Sequence, residues 1–121
     1  MLIADDDPTI LMLLRVNLEM EGYEVVSATD GIEAVELASE QAPDLVILDI
    51  MMPRMDGLEA RSKMLEIPEL SQIPVIFLSA RAQQVDIEKG MGSGATEYVT
   101  KPFDPPDLMS TIERILRLTK G

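Results

Sequence analysis

The sequence lacks both cysteine and histidine, and these two absences remove several kinds of site. Without cysteine the chain forms no disulfide and no thiolate metal site, and this usage favours the cytoplasm over an oxidising compartment. Without histidine it has no imidazole base, no imidazole metal ligand and no residue that could become phosphohistidine. Any acid–base or metal chemistry must therefore come from carboxylates, hydroxyls and lysines.

Basic residues are also scarce, with 10 lysines and arginines against 22 aspartates and glutamates. The resulting net charge of −12 disfavours direct contact with nucleic acid, because the phosphates would be repelled. No apolar run approaches the ~20 residues of a membrane span, and no charged-then-apolar leader precedes the first strand-like segment. We therefore predict neither a membrane span nor a signal peptide.

The length of 121 residues and the hydrophobic content of 46% fit one compact domain, over 1–121, with a sizeable core. Short apolar runs alternate with longer segments of helical period. Strands are predicted over 1–4, 23–28, 45–48, 74–78 and 96–100, and helices over 8–21, 31–41, 58–65, 83–91 and 104–118. Five β/α units in this order predict an α/β fold with a five-stranded parallel, doubly wound sheet and helices on both faces.

Reactive polar residues follow four of the five predicted strands. They are Asp5, Asp6 and Asp7 after the first strand, Asp49 after the third, Ser79 after the fourth and Lys101 after the fifth. Any one of these acids could simply cap the helix that follows it. In an open parallel sheet, however, ligands bind beyond the carboxyl ends of the strands. Because all four positions share that edge, capping alone is a poor explanation of them.

The spacing between neighbouring strands would bring these side chains within reach of one another. If the first and third strands are neighbours, the strand order is 2-1-3-4-5, and the acidic pair faces Asp49 across one spacing of ~4.8 Å. Ser79 then lies one spacing away on the other side. Lys101 lies about two spacings from Asp49, which is too far for a short side chain but within reach of a lysine.

The chemistry of such a cluster favours a metal and a phosphoryl group. Clustered carboxylates repel one another and raise a pKa, and a hard divalent cation removes that conflict. Few carboxylates, waters and a phosphoryl oxygen suit Mg²⁺ better than Ca²⁺. The metal and Lys101 would neutralise an incoming phosphoryl group while Asp49 attacks phosphorus and Ser79 donates to a phosphoryl oxygen.

Four motifs carry a resemblance to a known family: LIADDD at 2–7, PDLVILDIMMP at 43–53 with MDG at 55–57, FLSA at 77–80, and GA at 94–95 leading through Tyr98 to TKPF at 100–103. In this order and spacing, along the whole chain, they resemble the receiver domains of two-component response regulators, the chemotaxis type among them. The resemblance implies a flavodoxin-like fold with the strand order 2-1-3-4-5.

The resemblance also implies roles for the site residues. Asp49 would be the phosphorylated residue, and Asp5, Asp6, Asp49 and the backbone carbonyl of Met51 would bind Mg²⁺, with Mn²⁺ as an alternative metal. Asp6 would be the more direct ligand, whereas Asp5 would act partly through water. The third acid, Asp7, has no chemical role in the family and is interpreted as an exposed acid before a helix.

Three further residues complete the implied mechanism. Ser79 would contact the phosphoryl group, and so would Lys101, which in this family commonly precedes a cis-proline bond. Tyr98 occupies the position of the family's switch aromatic. Phosphorylation would draw Ser79 towards the phosphoryl group, Tyr98 would turn inward, and the face made by the predicted helix over 83–91, the last strand and the last helix would change shape.

The implied function is a signalling switch that assists its own phosphotransfer and dephosphorylation and is not otherwise an enzyme. The phosphoryl donor would be a sensor histidine kinase or a phosphotransfer protein. The signal would pass to an output domain or a target protein, with a phosphorylation-dependent homodimer as a further partner. The sequence decides neither the partners nor whether the chain acts alone.

Two other functions compete with this prediction. The segment 5–9 also fits the Asp-x-Asp-x-Thr pattern of haloacid dehalogenase-like phosphatases, in which Asp5 would be the nucleophile. That class needs a further acidic pair on an apolar strand after the lysine, whereas Asp104 and Asp107 fall at a predicted helix start. The second alternative is a pseudo-receiver, which keeps the fold but has lost phosphotransfer. Such a domain usually lacks one of the site residues, whereas all of them are present here.

Overall fold

The computed structural model describes residues 1–79 and 97–120. Within them the elements are β1 (Leu2–Ala4), α1 (Pro8–Met20), β2 (Val26–Ala28), α2 (Gly31–Gln41), β3 (Val46–Asp49), α3 (Gly57–Leu65), β4 (Val75–Ser79), β5 (Glu97–Thr100) and α4 (Pro105–Lys120). The predicted helix over 83–91 lies outside the described residues. None of the described helices is long and apolar enough to cross a membrane.

The five strands form one parallel sheet in the order β2-β1-β3-β4-β5, which confirms the predicted order. In the pairing register, Ala4 lies opposite Leu48, Asp49 opposite Leu78, and Ser79 opposite Thr100. The carboxyl ends of β1, β3, β4 and β5 therefore reach the same edge of the sheet. The loops that leave these four strands begin side by side.

The sheet is covered on both faces, as predicted. Small and apolar residues of α2 and α3, such as Ala34 and Met64, pack on the face that carries Leu48 and Phe77. The face that carries Ile47 packs against α1 and α4, whose buried stripes are Leu14 and Leu18 in α1 and Leu108, Ile112, Ile115 and Leu116 in α4. Because β3 and β4 have helices on both sides, their sequences are continuous apolar runs.

Aspartate caps begin three of the helices. The side chain of Asp7 accepts a hydrogen bond from the Thr9 N–H at 2.9 Å, which confirms its interpretation as an acid before a helix. Asp30 caps α2 in the same way, and Asp56 forms a capping box with Glu59 at the start of α3. These caps fix where each helix starts relative to the strand end before it.

The second strand is shorter than predicted, with bounds 26–28 in place of 23–28. The Tyr23 N–H bonds to the Leu18 carbonyl, so Tyr23 belongs to the end of α1, just after Gly22 with its positive φ of 90°. The ladder then begins only at Val26, which pairs with Leu2. Since β1 has three residues, it offers β2 only three partners.

Candidate functional site

Three aspartates meet at the carboxyl edge of the sheet. Asp5 directly follows β1 and is 1% exposed, Asp49 is the last residue of β3 and is 5% exposed, and Asp6 faces solvent. One carboxylate oxygen from each of the three residues lies within 4.8 Å of the other two. Asp5, Asp6 and Asp49, three of the acids predicted to share this edge, therefore come together in one acidic cluster, with Asp6 open to water.

Lys101 directly follows β5, at the opposite end of the sheet from β2, and its side chain reaches this cluster. Its Nζ donates to Asp5 Oδ2 at 2.6 Å and to Asp49 Oδ2 at 3.2 Å. Burial alone would lower the pKa of this ammonium, but the hydrogen bond to Asp5 and the negative charges of Asp49 and Asp5 together raise it. Lys101 therefore stays protonated at neutral pH, and its bond to Pro102 is cis, as the resemblance implied.

Backbone amides hold the other oxygens of the two buried carboxylates. The Asp7 N–H donates to Asp5 Oδ1 at 2.9 Å, and the Met51 N–H donates to Asp49 Oδ1 at 3.2 Å. Each buried carboxylate is thus held at one oxygen by the backbone and at the other by Lys101. The loops that follow β1 and β3 consequently orient the acids that these strands present.

The pKa of Asp49 is raised to about 6. The main cause is burial, which disfavours the charged carboxylate, and the neighbouring charge of Asp5 adds to it. The charge of Lys101 and the hydrogen bonds from Lys101 and Met51 act in the opposite direction and offset only part of the rise. A cation bound beside Asp49 would favour the charged carboxylate and so oppose this rise.

Two glycines let the loop after β3 pack against its neighbours. A Cβ atom on Gly57 would lie 2.3 Å from the Asp49 carbonyl oxygen, and one on Gly31 would lie 2.2 Å from the Met55 carbonyl oxygen. The Gly57 N–H donates to the Ile50 carbonyl at 2.9 Å, and the Gly31 N–H donates to the Met55 carbonyl at 2.9 Å. The loop over 50–56 can therefore return to the end of β3, close to Asp49.

The remaining predicted residues lie around this cluster. Met51 follows Asp49 by two residues, and its side chain is largely exposed. The backbone of Ser79 ends β4 beside Thr100, while its side chain lies outside what the structure describes. Tyr98 on β5 is half-buried and packs against the core cluster on the α2 and α3 face.

The sequence did not point to one ion pair beside the site. The Arg54 guanidinium donates to Asp30 Oδ2 through Nε at 3.0 Å and through Nη2 at 2.6 Å. The Asp30-Gly31 turn was visible in the sequence, but Arg54 lies in a loop without periodicity. The sequence signal that could have suggested this pair was an arginine with no assigned role in a chain of many acidic residues.

A family model described as response regulator receiver domain matches residues 1–113 of the chain. The chain belongs to the response regulator receiver family. The DNA-binding dual master transcriptional regulator RpaA from Synechocystis sp. is 42% identical over 118 residues, covering 98% of this chain and 49% of that protein. PhoP from Bacillus subtilis, an alkaline phosphatase synthesis transcriptional regulatory protein, is 40% identical over 96% of this chain and 48% of its own length. The chain thus spans about half the length of these relatives.

Solved receiver structures share the fold closely. A response regulator structure from Chloroflexus aurantiacus J-10-fl has a TM-score of 0.91 and 33% identity, covering 96% of this chain and 95% of its own. The receiver domain of a sensor histidine kinase from Pseudomonas aeruginosa PAO1 has a TM-score of 0.89 and 30% identity, covering 95% and 94%, and has a magnesium ion coordinated in its active site cleft. Receiver domains are phosphoacceptor switches of two-component systems, and this chain has that family function.

The membership decides against the phosphatase alternative. Asp7, which that pattern requires in the reaction, caps α1 through its hydrogen bond from the Thr9 N–H. Asp107 lies in the first turn of α4, and Asp104 directly precedes that helix. The acidic pair that a phosphatase of this class would carry on a strand therefore lies at a helix start.

Proposed function

We propose that Asp49 is the residue that accepts the phosphoryl group, with Asp5, Asp6 and Lys101 as the groups that make the transfer possible. The observation that carries this proposal is the cluster itself. Three carboxylate oxygens lie within 4.8 Å of one another, and Lys101 contacts two of the three carboxylates. Asp49 is the member at the centre of the sheet edge, between β1 and β4.

The transfer would proceed by attack of an Asp49 carboxylate oxygen on phosphorus. A new O–P bond forms, and the bond from phosphorus to the donor breaks. With phosphohistidine, the imidazole leaves and takes up a proton; with an acyl phosphate, a carboxylate leaves. Lys101 Nζ would donate to a phosphoryl oxygen as negative charge accumulates there, because it already lies 3.2 Å from Asp49 Oδ2.

The donor set fits a hard divalent cation. Asp5, Asp6, Asp49 and the Met51 carbonyl offer only oxygen ligands, and Asp6 is open to solvent, which leaves room for water ligands. Burial, and then the charge of Asp5, disfavour the charged form of Asp49, and a bound cation would favour it. Mg²⁺ is the proposed metal, with Mn²⁺ as an alternative of similar preference. When bound, it would supply positive charge to the phosphoryl oxygens.

The signal would leave the site through Ser79 and Tyr98. The support is positional, since Ser79 ends β4 and Tyr98 lies on the adjacent β5, opposite Phe77. Tyr98 is half-buried, so an inward turn would change the surface that β5 presents. The face that responds would comprise β5, α4 and the predicted helix over 83–91.

The partners follow from the family at a coarse level. The phosphoryl donor would be a sensor histidine kinase or a phosphotransfer protein, and the chain would be no enzyme beyond its own phosphorylation and dephosphorylation. The receiver domain would extend over 1–121, because α4 continues past the family match and packs Leu116 in the core. The relatives named above are transcriptional regulators, which supports an output domain. A cytoplasmic location and a phosphorylation-dependent homodimer are further parts of the proposal. DNA contact would belong to the output domain, because this chain carries a charge of −12.

The proposal is tested by incubating the protein with Mg²⁺ and a small acyl phosphate and measuring its intact mass. We expect a gain of one phosphoryl group, no gain after chelation of the metal, and peptide mapping that places the group on Asp49. Turnover of a phosphate ester without an adduct, or an adduct on Asp5, would contradict the proposal. A pseudo-receiver would gain no phosphoryl group in the same experiment.

The raised pKa of Asp49 predicts a pH dependence of metal binding. Protons and Mg²⁺ compete for this carboxylate, so below about pH 6 the dissociation constant for Mg²⁺ should rise about tenfold per pH unit as one proton is displaced. Titration calorimetry on both sides of that value checks the slope. A dissociation constant that stays flat through this range would contradict the role of Asp49 as a ligand.

A further inference from the structure

The N-terminus of α2 holds the loop over 50–56, which carries Met51 and runs from Asp49 to α3. It does so at two points. The Gly31 N–H donates to the Met55 carbonyl at 2.9 Å, and the Arg54 side chain makes its two hydrogen bonds to Asp30 Oδ2. Neither Asp30 nor Arg54 belongs to the acidic cluster, and the phosphotransfer described above uses neither of them.

Asp30 is a fixed anchor for this loop. Its side chain is only 9% exposed, and its other oxygen, Oδ1, accepts the Glu33 N–H at 2.9 Å as the cap of α2. The hydrogen bond from the Glu33 backbone is the main cause that lowers the pKa of Asp30, and Arg54 adds to it, so the carboxylate stays charged. An arginine that binds Asp30 is therefore bound to the helix itself.

The backbone of Arg54 has an unusual conformation. Its φ of 64° lies in the left-handed region, which residues other than glycine rarely adopt. Such a conformation persists where the surroundings hold it in place, and it is then a feature of functional loops. The two hydrogen bonds to Asp30 supply that hold, although 61% of the Arg54 side chain remains exposed.

We propose that Arg54 and Asp30 form a positioning pair, which holds the loop so that the Met51 carbonyl and the Asp49 carboxylate stay in place for Mg²⁺. The loop has fixed points on both sides of Met51. On one side the Asp49 carboxylate accepts the Met51 N–H. On the other side Arg54, three residues after Met51, binds Asp30, the cap of α2. Without Arg54, the loop would be held to α2 only by the Gly31–Met55 hydrogen bond, and the Met51 carbonyl would be less well fixed. This inference rests on the proposed metal site.

The test measures the dissociation constant for Mg²⁺ by titration calorimetry in the wild type and in Arg54→Met. We expect a rise of about fivefold, the upper range for an ion pair with one buried partner. Arg54→Lys should recover part of the affinity, because it keeps the charge but loses the forked donor. Arg114→Met is the matched control, since it removes an ion pair of similar length, to Glu97 at 2.8 Å, and should leave the constant unchanged.

Two further measurements separate positioning from general stability. Arg54→Gly relieves the left-handed backbone and so should not lower the thermal midpoint, yet its dissociation constant should still rise about fivefold. In phosphorylation by an acyl phosphate, Arg54→Met should need about fivefold more Mg²⁺ for half-maximal rate and reach the wild-type rate at saturation. Asp30→Asn, which keeps an acceptor for the cap, should match Arg54→Met.

The outcomes distinguish this inference from the proposal beneath it. Wild-type Mg²⁺ affinity in both Arg54→Met and Arg54→Gly would overturn the positioning role and leave the metal site intact. Equal weakening in Arg114→Met would also overturn it, because the effect would then not depend on the loop over 50–56. A wild-type protein that binds no Mg²⁺ would overturn the metal site and the positioning pair together.

Discussion

Asp49→Asn is expected to abolish the phosphoryl adduct completely and, in the absence of Mg²⁺, to raise the free energy of unfolding. An amide of the same shape has no anionic oxygen to attack phosphorus, so no adduct forms. The stability gain follows from the pKa of about 6, which is higher than this carboxyl has in an unfolded chain. The buried, charged Asp49 is therefore a source of instability at neutral pH, and the neutral amide removes it.

The sign and the pH range of this gain follow from linkage. The folded protein binds the proton of Asp49 more tightly than the unfolded chain does, so the free energy of unfolding falls as pH rises from about 4, the pKa of an unfolded aspartate, to about 6, and stays reduced above that pH. Because Lys101 and solvent reduce the effect, we expect a gain on the order of 1 kcal/mol near neutral pH. Urea denaturation at neutral and acidic pH measures it, and the gain should vanish below about pH 4, where this carboxyl is protonated in both the folded and the unfolded protein.

Mg²⁺ provides the control for this prediction. Saturating Mg²⁺ should stabilise the wild type in proportion to its binding and should stabilise Asp49→Asn far less, because one of three carboxylates is missing. The order of stability of the two proteins should therefore reverse when the metal is added. If the wild type is more stable than Asp49→Asn without metal, the buried charge of Asp49 does not destabilise the protein, and the prediction is wrong.

The second large effect is expected from Gly57→Ala, which should destabilise the protein by about 2 kcal/mol, as overpacking does. Alanine normally improves a helix, and Gly57 begins α3, so propensity alone predicts a gain. The new Cβ would, however, lie 2.3 Å from the Asp49 carbonyl oxygen, and a backbone atom cannot move away as a flexible side chain can. The clash should outweigh the propensity and also weaken Mg²⁺ binding, since the displaced backbone is that of Asp49.

Gly22→Ala is the control for this substitution. Gly22 has a φ of +90°, but a Cβ there would meet no atom within 4 Å. We expect a cost of about 1 kcal/mol from the backbone alone and unchanged Mg²⁺ binding, because Gly22 follows α1, far in sequence from the cluster. Urea denaturation and calorimetry on both variants separate the two causes. Unaltered Mg²⁺ binding in Gly57→Ala would show that the loop tolerates the added methyl group.

The fold was largely predictable because its signals are local. Continuous apolar runs such as that over 45–48 indicate strands buried on both faces, and five β/α units leave few topologies. The strand ends were less predictable, because a strand stops where its neighbour stops. The sequence over 23–28 suits a strand throughout, yet β2 covers only the three residues that β1 can pair with.

The site was predictable where it depends on the sheet and unpredictable where it depends on a loop. Asp5, Asp49 and Lys101 were placed together because strand ends align, whatever their loops do. That Lys101 lies closer to Asp5 than to Asp49 was not foreseen, because the strand order alone places the end of β5 nearer to β3 than to β1. The Arg54–Asp30 pair depends on a left-handed residue that no periodicity reveals.

The bond between Lys101 and Asp5 joins residues 96 positions apart. Contacts of such long range form late, because most of the chain must be ordered before the two ends can meet. A ribosome-bound or truncated chain that has made β1 and β3 holds both aspartates without their lysine. We therefore expect phosphorylation only once the chain has been synthesised through β5, because the proposed role of Lys101 needs that contact.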